Sequence, residues 1–204
     1  MKKRKLLKKL NQKNSSTRII LASNSERRKH LLNEMGLDFI QVPSSVKEFG
    51  SGCYYTEVAI LNAVRKARNI AEKYPEHLVI GADTVIEYQG RIIGKPNNLA
   101  DAKKNLLELS NASHFVVSAV SLQSLSAKIY CNFAVLTEVH FKDLTAAIVD
   151  EYLSLVKVLD KAGAYAIQEH GEMLVDFIEG PLDNVIGLPC QALQESLNAI
   201  KVLK

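Results

Sequence analysis

Two adjacent arginines follow a run of small polar residues near the start of the chain, in the sequence S-N-S-E-R-R at 23–28. Ser25 is a favourable N-cap residue, which places Arg27 and Arg28 in the first turn of a predicted helix, where cations oppose the helix dipole. A helix N-terminus that carries arginines is suited to bind an anion such as a phosphate group. The alternative is that Ser25 only caps the helix and both arginines are solvated.

A single acid, Asp83, comes directly after the apolar run at 77–80, in the sequence G-A-D-T at 81–84. An acid at the C-terminal end of a buried strand lies where α/β proteins bind their ligands, and burying it is costly without a partner. Asp83 could therefore hold a metal ion or activate a water molecule. The alternative is a carboxylate that caps a turn.

Four further places carry weaker signals. Lys95 lies in G-K-P at 94–96 and could neutralise a phosphate, and the segment 159–168 combines an Asp–Lys pair, small residues and Gln168. Glu48 and Lys66, taken alone, are typical of a solvated surface. The sequence lacks the P-loop, the dinucleotide-binding glycine motif, the H-E-x-x-H metal motif and the G-x-S-x-G elbow, so none of these classes of site is indicated.

The composition predicts a globular protein with an aliphatic core. The chain has 204 residues, of which 47% are hydrophobic and 24% charged, with no Trp. Eight of the 26 basic residues lie in residues 1–18, which contain no acid, so the remaining chain holds 18 basic and 22 acidic residues. The net charge of +4 therefore comes from a basic N-terminal tail, and we divide the chain into that tail at 1–17 and a single domain at 18–204.

Charge and cysteine content restrict the partners and the compartment. A net-negative domain has no general reason to bind nucleic acid, and the longest stretch without charged residues, at 109–127, is too polar to span a membrane. The three cysteines are odd in number and far apart, which excludes a disulfide framework and fits a reducing cytoplasm.

The spacing of apolar residues predicts strands that alternate with helices. Strands are predicted at 18–22, 39–42, 78–86, 91–93, 115–122, 129–141 and 173–178, and helices at 27–35, 55–74, 99–109, 144–155 and 189–202. The run at 115–122 is almost continuously apolar, which is typical of a central strand. On the long helix, the predicted buried face consists of Ile60, Val64, Ala67 and Ala71. The fold class is therefore α/β, with a mixed central sheet flanked by helices.

Taken together and in this order, several separated motifs resemble the Maf family of nucleoside triphosphate pyrophosphatases. They are L-A-S-N-S-E-R-R at 21–28, V-P-S-S-V-K-E at 42–48, G-A-D-T at 81–84, G-K-P at 94–96, L-D-K-A-G-A-Y-A-I-Q at 159–168, I-E-G at 178–180 and N-V-I-G-L-P at 184–189. The resemblance extends from about Ile19 to Ile200. It implies a fold similar to that of the inosine triphosphate pyrophosphatases, with two closely packed lobes around a cleft.

The resemblance implies hydrolysis of a nucleoside triphosphate to the monophosphate and pyrophosphate, assisted by Mg²⁺ or Mn²⁺. It makes Asp83 the proton acceptor, or a carboxylate that holds metal and water together, and Glu48 the second acid of the pair and a metal ligand. It also implies a catalytic role for Lys95, which would act on the phosphates. The residues that it implies for binding the phosphates and the substrate are Ser23, Arg27, Arg28 and Lys66.

Three positions match the branch of the family that acts on dTTP and UTP, namely Arg27, Thr84 and Gln168. A neutral Gln offers both a donor and an acceptor to the edge of uracil or thymine, whereas the 7-methyl-GTP branch carries an acid at this position. We therefore predict hydrolysis of dTTP and UTP, extended to modified pyrimidine nucleotides in the cleaning of nucleotide pools. The alternative is 7-methyl-GTP pyrophosphatase activity.

Three residues depart from the family pattern. Glu26 replaces a Pro in the first helical turn and adds a negative charge near the expected phosphate site. Ala166 replaces a Gly, which would cost about 1 kcal/mol if that position needs a positive φ. Ser118 stands where the family often has Thr.

Two other functions stay open at this point. The family has been linked with inhibition of septum formation, so the chain could act mainly by binding a cell-division partner. The basic tail is expected to be a flexible, solvated segment. The alternatives are an arm that binds RNA or an anionic surface, and a short amphipathic helix. By analogy with the family, a homodimer is expected.

Overall fold

The computed structural model describes residues 19–50 and 54–200. The tail predicted at 1–17 lies outside the described residues, as does Cys53. The division of the chain into a tail and a single two-lobed domain therefore stays a prediction.

Strands and helices alternate along the described chain. The strands are β1 (Ile19–Leu21), β2 (Phe39–Gln41), β3 (Leu78–Tyr88), β4 (Arg91–Ile93), β5 (Ser113–Ser124), β6 (Ile129–Phe141) and β7 (Val175–Glu179). The helices are α1 (Glu26–Glu34), α2 (Tyr55–Ala71), α3 (Leu99–Glu108), α4 (Ala146–Leu155), α5 (Leu182–Ile186) and α6 (Cys190–Ala199), with single 3-10 turns at Ala162–Ala164 and Gly171–Met173.

The seven strands form one mixed sheet, which confirms the predicted fold class. Its order is β2-β1-β3-β5-β6-β7, with β4 paired to β3. The strands β2, β1 and β3 are parallel to one another, whereas β5, β6 and β7 run antiparallel to their neighbours. The strand β5 lies in the middle of the sheet, as its apolar sequence predicted. Asp83 lies in the middle of β3 and pairs with Ala119 of β5, whereas β1 and β4 pair with residues 78–80 and 86–88 on the other edge of the same strand.

Three details differ from the sequence prediction. The segment Leu182–Ile186 is helical although no helix was predicted there, because five residues are too few to show a helical period. The last strand begins at Val175 because Gly171–Met173 forms a 3-10 turn. The face of α2 that we predicted to be buried was wrong in part, since Ile60 and Val64 are only half-buried.

The two polar residues Asn62 and Lys66, one helical turn apart, lie on the buried face of α2. Gly81 on β3 makes this arrangement possible. A Cβ atom at position 81 would lie 2.3 Å from the Ala63 carbonyl oxygen and 2.6 Å from the Ala67 nitrogen. The absent side chain therefore lets the helix backbone approach the strand closely. The approach brings two polar helix residues up to the acid two positions further along β3.

The core is aliphatic, as the composition predicted. One cluster, which includes Leu106, Val116 and Tyr152, packs α3 and α4 against the sheet. A second cluster, which includes Leu32, Ile80 and Leu193, packs α1 and α6 against it. Within residues 19–50 and 54–200, none of the helices is both long and apolar enough to cross a membrane.

Candidate active site

One cleft of about 580 Å³ opens beside the C-terminal end of β1 and the middle of β3. All nine residues that the sequence marked for substrate, catalysis, specificity or metal line this cleft: Ser23, Arg27, Arg28, Glu48, Lys66, Asp83, Thr84, Lys95 and Gln168. They come from six separate stretches of chain. The structure thus brings the whole predicted set into a single cavity, while the role of each residue stays a prediction.

A lysine lies between the two carboxylates of the set. The Nζ atom of Lys66 is 2.6 Å from Asp83 Oδ1 and 2.6 Å from Glu48 Oε1. Asp83 is 5% exposed and Lys66 is 9% exposed, so this pair is shielded from water. The lysine offsets the charge of an acid that would be costly to bury alone.

Asn62 completes the surroundings of Asp83 from the same helix. Its Nδ2 group donates to Asp83 Oδ2 at 2.8 Å and to the Phe49 carbonyl at 3.0 Å, while its Oδ1 atom accepts from the Phe49 backbone N–H at 2.8 Å. The side chain is 2% exposed, and both hydrogens of its amide nitrogen are used. One buried amide therefore joins Asp83 to the residue that follows Glu48.

The loop that carries Glu48 lies along α2. Arg65 donates from Nη1 to the Lys47 carbonyl at 2.9 Å, and its guanidinium carbon lies 4.4 Å from the centre of the Phe49 ring. Partial burial raises the pKa of Glu48, but the ammonium groups of Lys66 and Lys95 outweigh it, so the pKa lies below its ordinary value. Glu48 is consequently ionised at neutral pH.

Arg28 turns inward instead of lying on the surface. Its Nε donates to the Gly187 carbonyl at 2.9 Å, its Nη1 to Ser23 Oγ at 3.3 Å and its Nη2 to Thr84 Oγ1 at 3.0 Å. Burial lowers its pKa and the nearby Asp83 opposes that shift, yet an arginine remains protonated in proteins. The solvated alternative for Arg28 was therefore wrong, whereas Ser25 does cap the helix, since its side chain accepts from the Arg28 backbone N–H.

The remaining residues lie nearer the mouth of the cleft. Arg27 is half-buried, whereas Lys95 and Gln168 are exposed. Lys95 Nζ lies 3.4 Å from Glu48 Oε2, which is a loose contact between exposed groups. These three side chains are therefore accessible to a molecule that enters the cleft.

Buried aromatic residues hold the loop that precedes Gln168. The Tyr152 hydroxyl accepts from the Ala166 backbone N–H at 3.0 Å, and the Tyr165 hydroxyl lies 2.8 Å from His114 Nε2. The expected strain at Ala166 is absent, because the positive φ in this loop falls on Gly163 and Ala164 instead. Ala at position 166, where the family has Gly, therefore does not incur the conformational free-energy cost of a positive φ.

Sequence reasoning missed Asn62 and gave Ser118 no role. The signal for Asn62 was its spacing of four residues from Lys66, which places both polar side chains on one face of α2. Ser118 is directly opposite Thr84 in the register of β5 and β3, a pairing that no local pattern reveals.

The donor set for a metal is limited to two carboxylates. Within the described part of the chain, no group of three or more His, Cys, Asp or Glu residues is placed to hold an ion. Glu48 Oε1 and Asp83 Oδ1 nevertheless converge on one point, now taken by the Lys66 ammonium group. Two carboxylates with substrate phosphates and water are a usual environment for Mg²⁺, so these residues fit such an ion once phosphates are present.

A mixed sheet with a cleft that combines cations and two carboxylates defines a protein built to bind a polyanion. A family model described as "Maf-like protein" matches residues 18–200, and the chain belongs to this family. Its relatives include proteins named dTTP/UTP pyrophosphatase from Akkermansia muciniphila, 41% identical over 89% of this chain and 96% of that protein, and from Dictyoglomus thermophilum, 40% identical over 89% and 95%. A protein of the same name from Bacillus cereus is 39% identical over 91% of each chain.

A solved structure supports the fold. The Ham1 protein of Staphylococcus aureus matches with a TM-score of 0.52 and 17% identity, over 89% of this chain and 98% of that chain. At this identity the likeness concerns the fold alone, and it agrees with the architecture implied by the sequence motifs.

Proposed function

We propose that this protein hydrolyses dTTP and UTP to the monophosphate and pyrophosphate. The observation that carries the proposal is the convergence of Arg28, Lys66, Asp83 and Glu48 in one cleft, beside a neutral Gln168. The relatives named dTTP/UTP pyrophosphatase, about 40% identical over nearly the whole chain, support the same substrates. Modified pyrimidine nucleotides with the same base edge belong to the same proposal.

Asp83 is the proposed proton acceptor. Attack of water on the α-phosphorus breaks the bond to the bridging oxygen, and pyrophosphate leaves with that oxygen. A buried carboxylate whose oxygens are held by Lys66 and Asn62 has a fixed direction, so it can orient the water and take its proton. The reaction needs no covalent nucleophile.

The cations balance the charge of the triphosphate. Arg28, Arg27, Ser23, Lys66 and Lys95 are the proposed phosphate ligands, and fixed donors of this kind lower the barrier by positioning the substrate and stabilising developing charge. Glu48 and Asp83 are the proposed holders of a divalent cation, Mg²⁺ or Mn²⁺. When bound, such an ion neutralises charge on the phosphate oxygens.

A panel of nucleoside triphosphates with Mg²⁺ or Mn²⁺, assayed for released pyrophosphate, tests the proposal. We expect dTTP and UTP to be the preferred substrates, and Asp83→Asn to lower kcat by about 100-fold or more. The matched control is Asp150→Asn, an exposed acid on α4 that pairs with Lys103 and should keep the wild-type rate. Faster turnover of 7-methyl-GTP would overturn the substrate assignment, and a wild type inert toward every triphosphate would overturn the enzyme assignment.

A further inference from the structure

A hydrogen-bond chain of two hydroxyl groups, from the half-buried Thr84 and the buried Ser118, starts at Arg28 and ends on α5. Thr84 Oγ1 lies 2.8 Å from Ser118 Oγ, and Ser118 Oγ lies 2.8 Å from the Asn184 carbonyl oxygen. Ser118 and Asn184 are fully buried. This hydrogen-bond chain therefore connects the guanidinium group in the cleft to α5, which packs against β5 and β6.

The direction of each hydrogen bond is fixed by chemistry. A carbonyl can only accept, so the single proton of Ser118 points to Asn184. Ser118 must then accept a hydrogen bond from Thr84, and this bond uses the only proton of the Thr84 hydroxyl. Thr84 must in turn accept from Arg28 Nη2. Thr84 consequently has no proton left to donate to a bound base.

Asn184, at the end of this hydrogen-bond chain, is itself held by further hydrogen bonds. The Asn184 amide nitrogen donates to the Val116 carbonyl and to Thr137 Oγ1, both at 3.0 Å. Thr137 Oγ1 donates to the Pro181 carbonyl at 2.9 Å. Hydrogen bonds from β5 and β6 thus hold α5 in place. The motif N-V-I-G-L-P begins within this helix, at Asn184.

The same motif also contacts Arg28 directly, at Gly187. Arg28 Nε donates to the Gly187 carbonyl, and a Cβ atom at position 187 would lie 3.4 Å from Thr84 Oγ1 and 3.8 Å from Arg28 Nε. The backbone at Gly187 has a φ of +125°, which strongly favours glycine. Segment 184–187 is therefore shaped to receive the guanidinium group and the threonine hydroxyl side by side.

We infer that Ser118 is a positioning residue for phosphate binding, acting through Thr84 on Arg28. This inference rests on the proposed function, in which Arg28 binds the phosphates. It also limits the role of position 84: the Thr84 hydroxyl directs Arg28 and donates no hydrogen bond to the base. Loss of the Ser118 hydroxyl should loosen the guanidinium group without removing any group that touches the substrate.

The experiment compares Ser118→Ala with Ser121→Ala. Ser121 is a second fully buried serine on β5, and its hydroxyl accepts from Gln123 and forms no hydrogen bond with a cleft residue within the described part of the chain. We expect Ser118→Ala to raise the KM for UTP about fivefold with kcat within about twofold, because a charge-assisted hydrogen-bond chain is weakened and not removed. Ser121→Ala should leave both constants unchanged. Ser118→Thr, which restores the hydroxyl, should return the KM to the wild-type value.

A double variant separates positioning from general destabilisation. Once Thr84→Val has cut the chain, Ser118→Ala should raise the KM no further, because the two residues act in series. Independent effects, in which the two increases multiply, would overturn the inference. An equal KM in the Ser118→Ala and Ser121→Ala proteins would overturn it as well.

Titration with inorganic pyrophosphate gives a readout that needs no turnover. Thr84→Ser keeps the hydroxyl and Thr84→Val removes it, while both keep Ser118, so this pair remains available if Ser118→Ala does not fold. We expect Thr84→Val to bind pyrophosphate about tenfold more weakly than Thr84→Ser. Equal affinity, or no binding by the wild type, would overturn the inference. If the wild type binds pyrophosphate yet hydrolyses no triphosphate, only the proposed function fails.

Discussion

Asn62 donates a hydrogen bond of 2.8 Å to Asp83 Oδ2, across the close contact between α2 and β3. Lys66 holds the other oxygen of the same carboxylate at 2.6 Å. Asp83 therefore receives one donor on each oxygen, from two residues of one helix. This arrangement leaves the carboxylate a single orientation, which is what a proton acceptor for one bound water requires.

Replacement of Asn62 should lower kcat more than it changes KM. Asn62→Leu removes the donor to Asp83 and both bonds to Phe49, and we expect kcat for UTP to fall by about 10- to 100-fold because the carboxylate loses its fixed direction. Asn62→Asp keeps an acceptor for the Phe49 N–H but sets a like charge against Asp83, so it should be at least as damaging. Steady-state kinetics with dTTP and UTP check both expectations.

The control for Asn62 lies two helical turns further along α2. Asn69 Oδ1 accepts from Ser44 in the same loop at 3.3 Å, and Asn69 has no contact with Asp83 among the described residues. Asn69→Leu should keep kcat within about twofold. Full activity of Asn62→Asp would show that the bond to Asp83 has no part in the reaction.

The lysine between the carboxylates should contribute to stability as well as to substrate binding. Lys66→Met leaves Asp83 buried without its cation, and we expect a loss of about 3 kcal/mol in the free energy of unfolding. The double variant Lys66→Met/Asp83→Asn should recover part of that loss, because no uncompensated charge remains. Urea unfolding at pH 7 measures all three proteins.

Lys95 offers a matched control for this experiment. Its ammonium group contacts Glu48 at 3.4 Å and is exposed, so Lys95→Met should change the free energy of unfolding by no more than about 0.5 kcal/mol. A similar loss for Lys66→Met and Lys95→Met would contradict the assignment of Lys66 to a buried ion pair.

The sequence predicted the sheet and most helices because these elements are long enough to show a clear periodicity of apolar residues. The motifs predicted which residues line the cleft. Periodicity could not reveal the five-residue helix Leu182–Ile186, which is followed by the Gly187 carbonyl that accepts from Arg28. Nor could it reveal that Thr84 faces Ser118, since that pairing depends on the register of two strands 34 residues apart. Hydrogen bonds between distant elements could not be predicted from the sequence because each partner, taken alone, is an ordinary polar residue.

The departure at Glu26 should weaken binding of the triphosphate. Glu26 lines the cleft in the first turn of α1 and pairs with Lys29 at 2.8 Å, with both groups exposed. Glu26→Gln removes a negative charge near the phosphates, so we expect the KM for UTP to fall by about two- to threefold at low ionic strength. The difference should shrink at high salt, because exposed charges are screened.

Glu34 at the other end of α1 provides the comparison for Glu26. It is exposed, pairs with His30 and does not line the cleft. Glu34→Gln should leave the KM unchanged, whereas an increase in KM for Glu26→Gln would refute the electrostatic explanation.

His114 should make the fold less stable in mild acid. Burial, aided by the nearby His140, lowers its pKa from the ordinary 6.5 to about 3. Between pH 6.5 and pH 3 the unfolded chain therefore binds a proton at this residue that the folded protein does not bind, so stability falls as the pH falls through this range. Lowering the pH from 6.5 to 5 should cost about 1–2 kcal/mol from this group.

Unfolding by urea across this pH range isolates the contribution of His114. His114→Gln should flatten the dependence, because an amide does not titrate. Tyr165→Phe removes the partner of His114 Nε2 but keeps the imidazole buried, so the dependence should persist in that variant. If His114→Gln lost stability toward pH 5 as steeply as the wild type, the acid sensitivity would come from other groups, and the pKa of His114 would not differ between the folded and unfolded states.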